Sequence, residues 1–285
     1  MPSSLPGLRS AALGDLALHV ADDDGVEWVV EDLTGWRGSP ASTVQVTQRP
    51  SGHGGWATAR PWLTPRQMEL RVFIAAPNPG AMDAAYERLL AATDIGPVLL
   101  QVTEGSTTRQ ATVYRNGDVL PTSESDYEAT YSVPLIAPDP RRYAADETVT
   151  QLYLPSSTGG LTFPITFPIT FNATVISGTA RLDNPGTIAT PLRLVVYGPV
   201  SQPQITVTAG GTLWTLSYSG DIADGDWVDI DTEAATVLYN GQSSRRSLLS
   251  GDWPSVPPGG ADIAFRSGTY SATARLVVSH RAAWM

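Results

Sequence analysis

The strongest pattern of apolar and polar positions lies near the middle of the chain, in Leu161–Phe171. Every second residue of this stretch is a leucine, phenylalanine or isoleucine, and the positions between them hold proline or threonine. Period-two alternation of this kind is typical of an extended strand with one buried face. Because Pro164 and Pro168 have no amide hydrogen, the segment cannot pair on both sides within a sheet. The pattern therefore predicts an edge strand or an extended strap.

The first half of the chain predicts several strands and one helix. Alternation is clearest over residues 66–75, and further strands are predicted over 16–20, 27–30, 44–47, 98–103, 109–115 and 127–135. Apolar residues at helical spacing predict an α-helix over residues 79–93. Asn78 suits its N-cap and Pro79 its first position, and Gly96-Pro97 ends it.

The second half predicts only short strands joined by turns, with no need for a helix. The predicted strands cover residues 180–182, 192–197, 204–208, 212–218, 226–232, 235–239, 262–266 and 271–280. Short strands at this spacing are typical of a β-sandwich or barrel. We therefore expect a mostly β protein with two domains, 1–150 and 151–285, joined through an extended strap at 155–171.

Composition excludes several classes of function. The chain of 285 residues has 26 Gly and 23 Pro, which favours many turns, and no Cys, which excludes disulfides and thiolate chemistry. A formal net charge of −10 argues against tight binding to nucleic-acid phosphates. No apolar run reaches the ~18 residues that a membrane span needs. No signal peptide is visible at the start of the chain, so we expect neither secretion nor membrane insertion.

No set of residues has the spacing of a catalytic or metal site. Asp22-Asp23-Asp24-Gly25 is interpreted as a hairpin turn rather than a calcium loop, since the remaining ligands are missing. The acidic run from Asp221 to Glu233 alternates with Val228 and Ile230, which predicts a strand with one wet face rather than a carboxylate pair. The three histidines are scattered. We therefore expect no enzyme activity, no metal and no cofactor.

Tryptophan is the most informative residue type that remains. Eight tryptophans occur, and such residues are more often core or interface anchors than platforms for sugars. Trp56 follows the glycine-rich stretch 51–55, and Trp253 lies between Asp252 and Pro254. Because both are predicted to lie in loops, Trp56 and Trp253 are the candidate surface or interface aromatics.

An ordered set of short motifs resembles one protein family, the distal tail proteins of long-tailed bacteriophages, especially phages of actinobacteria. In the second half the resemblance rests on the 163–171 strap and on motifs at 184–187, 197–199, 225–232, 239–241, 244–246, 257–260 and 281–284. In the first half it is looser, and rests on 54–56, 65–66, the 79–93 helix and 137–140. The resemblance extends over essentially the whole chain.

The resemblance implies a fold and a function. The first domain would be a ring-forming domain like that of the tail tube, and the second a galectin-like β-sandwich. Six copies would form a ring at the tail tip of the virion, after assembly in the host cytoplasm. The implied partners are the tail-tube protein, the tail hub and receptor-binding or baseplate proteins, and DNA would only pass through the channel.

A second hypothesis from another class stays open, namely a carbohydrate-binding module or adhesin that attaches to the host surface. The predicted sandwich and the number of tryptophans favour it. An exposed row of aromatic side chains on one sheet face would support it, whereas self-association through residues 1–150 would support the ring.

Overall fold

The computed structural model describes residues 7–57, 61–158 and 174–285. The alternating segment 161–171 lies outside these ranges. The chain divides into two compact units: the first comprises the chain up to Ala145 together with Trp284–Met285, and the second comprises Asp146–Ala283. The described residues are mostly β with one α-helix, which confirms the predicted fold class.

The first unit contains twelve strands among its described residues. They are β1 (Leu8–Leu13), β2 (Leu16–Leu18), β3 (Val20–Ala21), β4 (Glu27–Thr34), β5 (Val46–Gln48), β6 (Gly55–Ala57), β7 (Arg66–Ala75), β8 (Val98–Glu104), β9 (Thr107–Arg115), β10 (Leu120–Glu124), β11 (Glu128–Ala137) and β12 (Arg142–Ala144). The strand predicted at 66–75 has the predicted bounds. The strand predicted over 16–20 is interrupted, because His19 has a φ of 66° that a strand does not accommodate.

One antiparallel sheet organises this unit, in the order β2-β1-β8-β9-β11-β7-β4-β3. Its two edge strands, β2 and β3, are separated in the chain only by His19, so the sheet curls until its ends approach each other. Alternate residues of β7 and β11 enter the core, where Leu70, Val72 and Ile74 are completely buried. The buried Trp28 and Trp36 belong to the same core.

The α-helix α1 spans Pro79–Ala92, one residue shorter than predicted, and Thr93 is its C-cap. The Asn78 side chain accepts a hydrogen bond from the Ala81 amide at 2.9 Å, so it caps the helix as expected. Met82, Ala85 and Leu89 bury one side of the helix against the core. Among the described residues, no helix is both long and apolar enough to cross a membrane.

The second unit is built from short strands. They are β13 (Thr148–Tyr153), β14 (Ser156–Thr158), β15 (Thr174–Ile176), β16 (Thr179–Leu182), β17 (Thr190–Pro191), β18 (Arg193–Tyr197), β19 (Val200–Ser201), β20 (Gln204–Ala209), β21 (Thr212–Tyr218), β22 (Asp221–Ile222), β23 (Trp227–Asp231), β24 (Thr236–Tyr239), β25 (Ser243–Ser244), β26 (Leu249–Gly251), β27 (Ser255–Val256), β28 (Ala261–Arg266) and β29 (Arg275–His280); β30 (Ala283–Trp284) ends the chain. Within the described residues of the second unit, the helical element is a 3-10 turn, Arg246–Leu248.

Two sheets of this unit enclose a common core. One has the order β13-β29-β18-β23-β24-β25 and the other the order β16-β28-β20-β21-β26. Leu194, Val196 and Leu276 of the first sheet share one buried cluster with Val207 and Phe265 of the second, which makes the unit a β-sandwich. The boundary predicted at 150/151 falls inside β13. That strand pairs along its whole length with β29 and belongs entirely to the second unit.

Two glycines in the motifs that carry the family resemblance lie so close to a backbone carbonyl oxygen that no side chain would fit there. A Cβ on Gly186 would lie 1.8 Å from the carbonyl oxygen of Ala283, and a Cβ on Gly198 would lie 2.1 Å from that of Ala223. Asn184 holds the first of these corners: its Oδ1 accepts from the Gly186 amide at 3.0 Å, and its Nδ2 donates to Val256 O at 2.9 Å. These motifs therefore connect distant segments of the sandwich.

Candidate interaction surfaces

A hairpin between β4 and β7 is the most exposed part of the first unit. We call residues 40–57 and 61–64 the arm. The pairing of β5 with β6 forms its outer part. Nearer its base, the Thr43 amide donates to Trp62 O at 2.7 Å and the Thr64 amide donates to Ala41 O at 2.8 Å. All of residues 41–54 are exposed, so the arm is held by its own pairing rather than by burial in a core.

Large apolar side chains are concentrated on the arm. The exposed fractions are 47% for Val44, 67% for Val46, 55% for Trp56 and 61% for Trp62. Trp56 was expected in a glycine-rich loop but lies in β6, because the glycines at 52 and 54 form the turn that precedes it. Arg49 lies over the Trp56 ring, 5.8 Å from its centroid. Val46 is paired with Ala57 and Trp56 with Thr47, so the valine and the tryptophan project from opposite faces of the hairpin. Exposed Trp, Val and Arg side chains are of the kind found at protein interfaces.

Trp253, the second predicted surface aromatic, lies in a different environment. Its ring is half-buried and packs against the core of the sandwich. Arg246 covers it, with the guanidinium carbon 4.8 Å from the ring centroid. An interface role for Trp253 stays a prediction, and its packing gives it a structural role as well.

The outer face of the six-stranded sheet carries a ladder of stacked side chains. Tyr197 is the direct partner of Trp227 on one side and of Arg275 on the other. The ring centroids of Tyr197 and Trp227 are 6.4 Å apart, and the Arg275 guanidinium lies 4.1 Å from the Tyr197 centroid. Because Arg275 occupies a face of Tyr197, the ladder does not offer the open aromatic row expected of a sugar platform.

The acidic run from Asp221 to Glu233 has structural roles. Val228 and Ile230 are buried and alternate with outward aspartates, as predicted for a strand with one wet face. Asp229 forms an ion pair with Arg193 at 2.7 Å. Asp226 accepts hydrogen bonds from Tyr239 Oη at 2.6 Å and from Asn240 Nδ2 at 2.7 Å, and these two bonds, the Tyr239 bond first, lower the pKa of Asp226.

The turn predicted at Asp22–Gly25 joins β3 and β4. Asp22 Oδ1 accepts from the Val26 amide at 2.9 Å, and its Oδ2 accepts from Trp28 Nε1 at 3.0 Å and pairs with Arg88 at 2.8 Å. Burial raises the pKa of Asp22, but the bonds from Trp28, Val26 and Arg88 together outweigh it and the pKa is lowered. Across the described ranges, no group of three or more His, Asp or Glu side chains could hold a metal ion.

Two of these features were not predicted from the sequence. The arm was not predicted as a unit, although Val44, Val46, Trp56 and Trp62 within one polar, turn-rich stretch were a usable signal. The ladder was missed because Tyr197, Trp227 and Arg275 are far apart in the chain, and only the strand register places them side by side.

Comparison with known proteins matches the larger part of the second unit to a family. Residues 185–284 match the siphovirus-type tail component, C-terminal domain. A search of curated proteins finds no match. Among solved structures, the Dit protein of phage SPP1 superposes with a TM-score of 0.63 at 11% identity, covering 90% of this chain and 94% of that chain. That protein is described as a paradigm of the hub adsorption apparatus in phages that infect Gram-positive bacteria.

A chain of the activated phage P2 baseplate covers 95% of this chain and 97% of its own, at 10% identity and a TM-score of 0.49, a likeness too low to carry an argument. The SPP1 likeness, at 11% identity, concerns the fold.

The described fold and the family match together indicate the class of protein. The second unit carries a siphovirus-type tail component domain, and the chain as a whole has the β-rich fold of a phage Dit protein. The family match over residues 185–284 supports a structural tail component of siphophages, and the likeness to the SPP1 protein concerns the fold of the chain.

Proposed function

We propose that six copies of this chain form a closed ring that joins the tail tube to the tip hub. The match of residues 185–284 to a tail component family carries the proposal, and the SPP1 likeness over 90% of the chain supports it. The first unit would form the ring and the second would anchor receptor-binding or baseplate proteins. The role is structural rather than catalytic.

The arm supplies a surface for self-association. Val46 and Trp56, on opposite faces of the arm, are each more than half exposed, which is costly in water, and burial of both faces against a neighbouring copy would remove that cost. Tyrosine, tryptophan and arginine are the side chains that dominate interface energies, and the stacked Arg49–Trp56 pair is of this kind. The proposed contact places the arm of one copy on the first unit of the next.

The negative net charge of the chain is compatible with a channel through which DNA passes. With a net charge of −10 per copy, a ring of six would carry about 60 negative charges. Like charge between the ring and the DNA backbone would keep passing DNA from binding the wall. A lumen lined mainly by arginine would contradict this part of the proposal.

The test is the mass and shape of the purified full chain. Light scattering should give six times 30.3 kDa, or about 182 kDa, and negative-stain averages should have six-fold projections. The double variant Val46→Ser/Trp56→Ser should lose the ring. Leu213→Ser, which removes an equally exposed apolar side chain (60%) from the second unit, should keep it.

Two results would count against the proposal. A double variant that assembles like the native chain would exclude the arm as the contact. A native chain that remains monomeric both alone and when mixed with its cognate tube and hub proteins would refute the ring itself.

A further inference from the structure

A depression of about 470 Å³ lies in the first unit, at the C-terminal end of α1 and beside the turn that joins β1 to β2. Its apolar lining comes from Leu16, Ala91, Ala92, Pro97, Val98 and Leu99. Ile95 lies in the short segment between α1 and β8 and is 87% exposed, more than any other large apolar side chain of the described residues. Exposed apolar side chains around a depression are typical of a site that another molecule covers.

The surface around the depression is acidic. Asp15 lines it and Asp94 follows the C-cap of α1, and both residues are exposed and without an ion pair among the described residues. Arg88, the cation of the described lining, already pairs with Asp22 at 2.8 Å and with Asp24 at 3.7 Å. The last turn of α1 carries no basic residue, so the partial negative charge of the helix end adds to the two carboxylates. This surface therefore favours a partner that brings both apolar and cationic side chains.

The arm has the complementary chemistry. In sequence, residues 40–64 include two arginines and no aspartate or glutamate, although the chain has 28 acidic residues. Thr47 is paired with Trp56, so their side chains project from one face of the hairpin, and Arg49 lies over the Trp56 ring. That face offers one large ring and one cation. A depression of this volume is in the range that holds a small molecule, so it can receive an indole ring.

The arm and the depression lie at opposite ends of β8. Arg37, near the base of the arm, forms an ion pair with Glu104 at the end of the strand, whereas Val98 at its start lines the depression. Six residues of extended chain separate the two ends by about 20 Å. Because residues 41–54 are all exposed, the arm does not fill the depression of its own copy. Two different surfaces that fit each other give a head-to-tail contact, the kind that closes into a ring.

We propose that the depression receives the arm of a second copy of this chain, with the Trp56 ring inside it and the Arg49 guanidinium on Asp15. The contact rests on the proposed function, since it supplies the surface that the ring needs to receive each arm. Opposite charge and shared apolar character favour this occupant. A nucleic acid is disfavoured, because its phosphates would meet the acidic side chains around the depression.

The first experiment is disulfide cross-linking between full-length copies. The chain has no cysteine, so an engineered pair reports its own contact without background. Thr47 is on the face of Trp56, and Ala91 is an exposed residue of the depression. Under conditions in which the native chain assembles, Thr47→Cys mixed with Ala91→Cys should give linked dimers on oxidation that neither variant gives alone. A chain with both changes should give linked species of up to six copies on a denaturing gel.

The second experiment is a reversal of charge on each side of the contact. Asp15→Arg and Arg49→Asp each place like charges together, so each should raise the concentration at which half of the chains are assembled by at least ~10-fold. The double variant restores opposite charges and should assemble within ~3-fold of the native chain. Two controls use exposed residues of the second unit: Asp224→Arg should assemble normally, and Leu213→Cys should not link to Thr47→Cys.

Several outcomes would overturn the proposed contact. Rings that form without the Thr47–Ala91 link, or a double charge variant that assembles no better than the single ones, would exclude the depression and leave the ring itself intact. A link to Leu213→Cys as strong as that to Ala91→Cys would indicate random collision. Protection of Ala91→Cys from a thiol reagent by the tube or hub protein, but not by assembly of the chain, would assign the depression to that partner. A native chain that never assembles would refute the proposed function as well.

Discussion

Arg66 holds the base of the arm, and its replacement gives the sharpest test of how this fold is stabilised. The side chain is 1% exposed. Its Nε donates to Pro140 O at 2.9 Å, and its Nη1 donates to Gly35 O at 2.8 Å, to Trp36 O at 3.1 Å and to Gly38 O. One guanidinium therefore ties the loop after β4 to the segment after β11, next to the place where the arm begins.

The magnitude follows from these contacts. The Nε and Nη1 atoms carry three hydrogens, which are shared among the four carbonyl oxygens, so at about 1.5–3 kcal/mol per hydrogen from a charged donor they sum to roughly 4.5–9 kcal/mol. The burial of the guanidinium offsets much of this, and Nη2 has no partner in the described residues. We expect Arg66→Met to lower the free energy of unfolding by about 3–5 kcal/mol, because it leaves buried carbonyl oxygens unsatisfied at about 1–3 kcal/mol each. Arg66→Lys should recover little, because an ammonium cannot reach several carbonyls at once.

The assay is urea unfolding followed by tryptophan fluorescence, with Arg71→Met as control. Arg71 is exposed and its ion pair with Glu31 is 3.8 Å long, so its loss should cost less than about 1 kcal/mol. If Arg66→Met unfolds within 1 kcal/mol of the native chain, the buried hydrogen bonds do not stabilise this loop and the reasoning is wrong.

Two further predictions concern single polar groups of the first unit. Asn78→Ala should lower the free energy of unfolding by about 1 kcal/mol because the Ala81 amide loses its cap, whereas Asn78→Ser should retain most of it; thermal unfolding checks both. Asp22→Asn should be less stable than the native chain at pH 7. Because the folded-state pKa of Asp22 is lowered, its contribution is present above the unfolded value of about 4 and is lost as the pH falls through the folded value. Unfolding curves from pH 7 to pH 2 should therefore converge, and a difference that persists at pH 2 would contradict the assignment.

The sequence by itself determined the elements whose signals are local. The alternation of β7, the N-cap at Asn78 and the hairpin of β8 with β9 depend on neighbours within a few residues, and each was predicted within one or two positions. The mostly β class followed from the same short-range patterns. The assignments of ring-forming and galectin-like domains came from the resemblance and stay predictions.

Only the tertiary structure decided which side chains meet across strands and which tryptophan rings are exposed. Register between distant strands places Arg275 against Tyr197 and Arg266 beside Gln204, and no local pattern encodes that pairing. Exposure also required the fold: Trp56 and Trp253 were both predicted to lie in loops, yet one ring is open and the other packs on a core. The physical reason is that periodicity and capping act between residues close together in the chain, whereas burial, ion pairing and strand register are set by which segments meet in space.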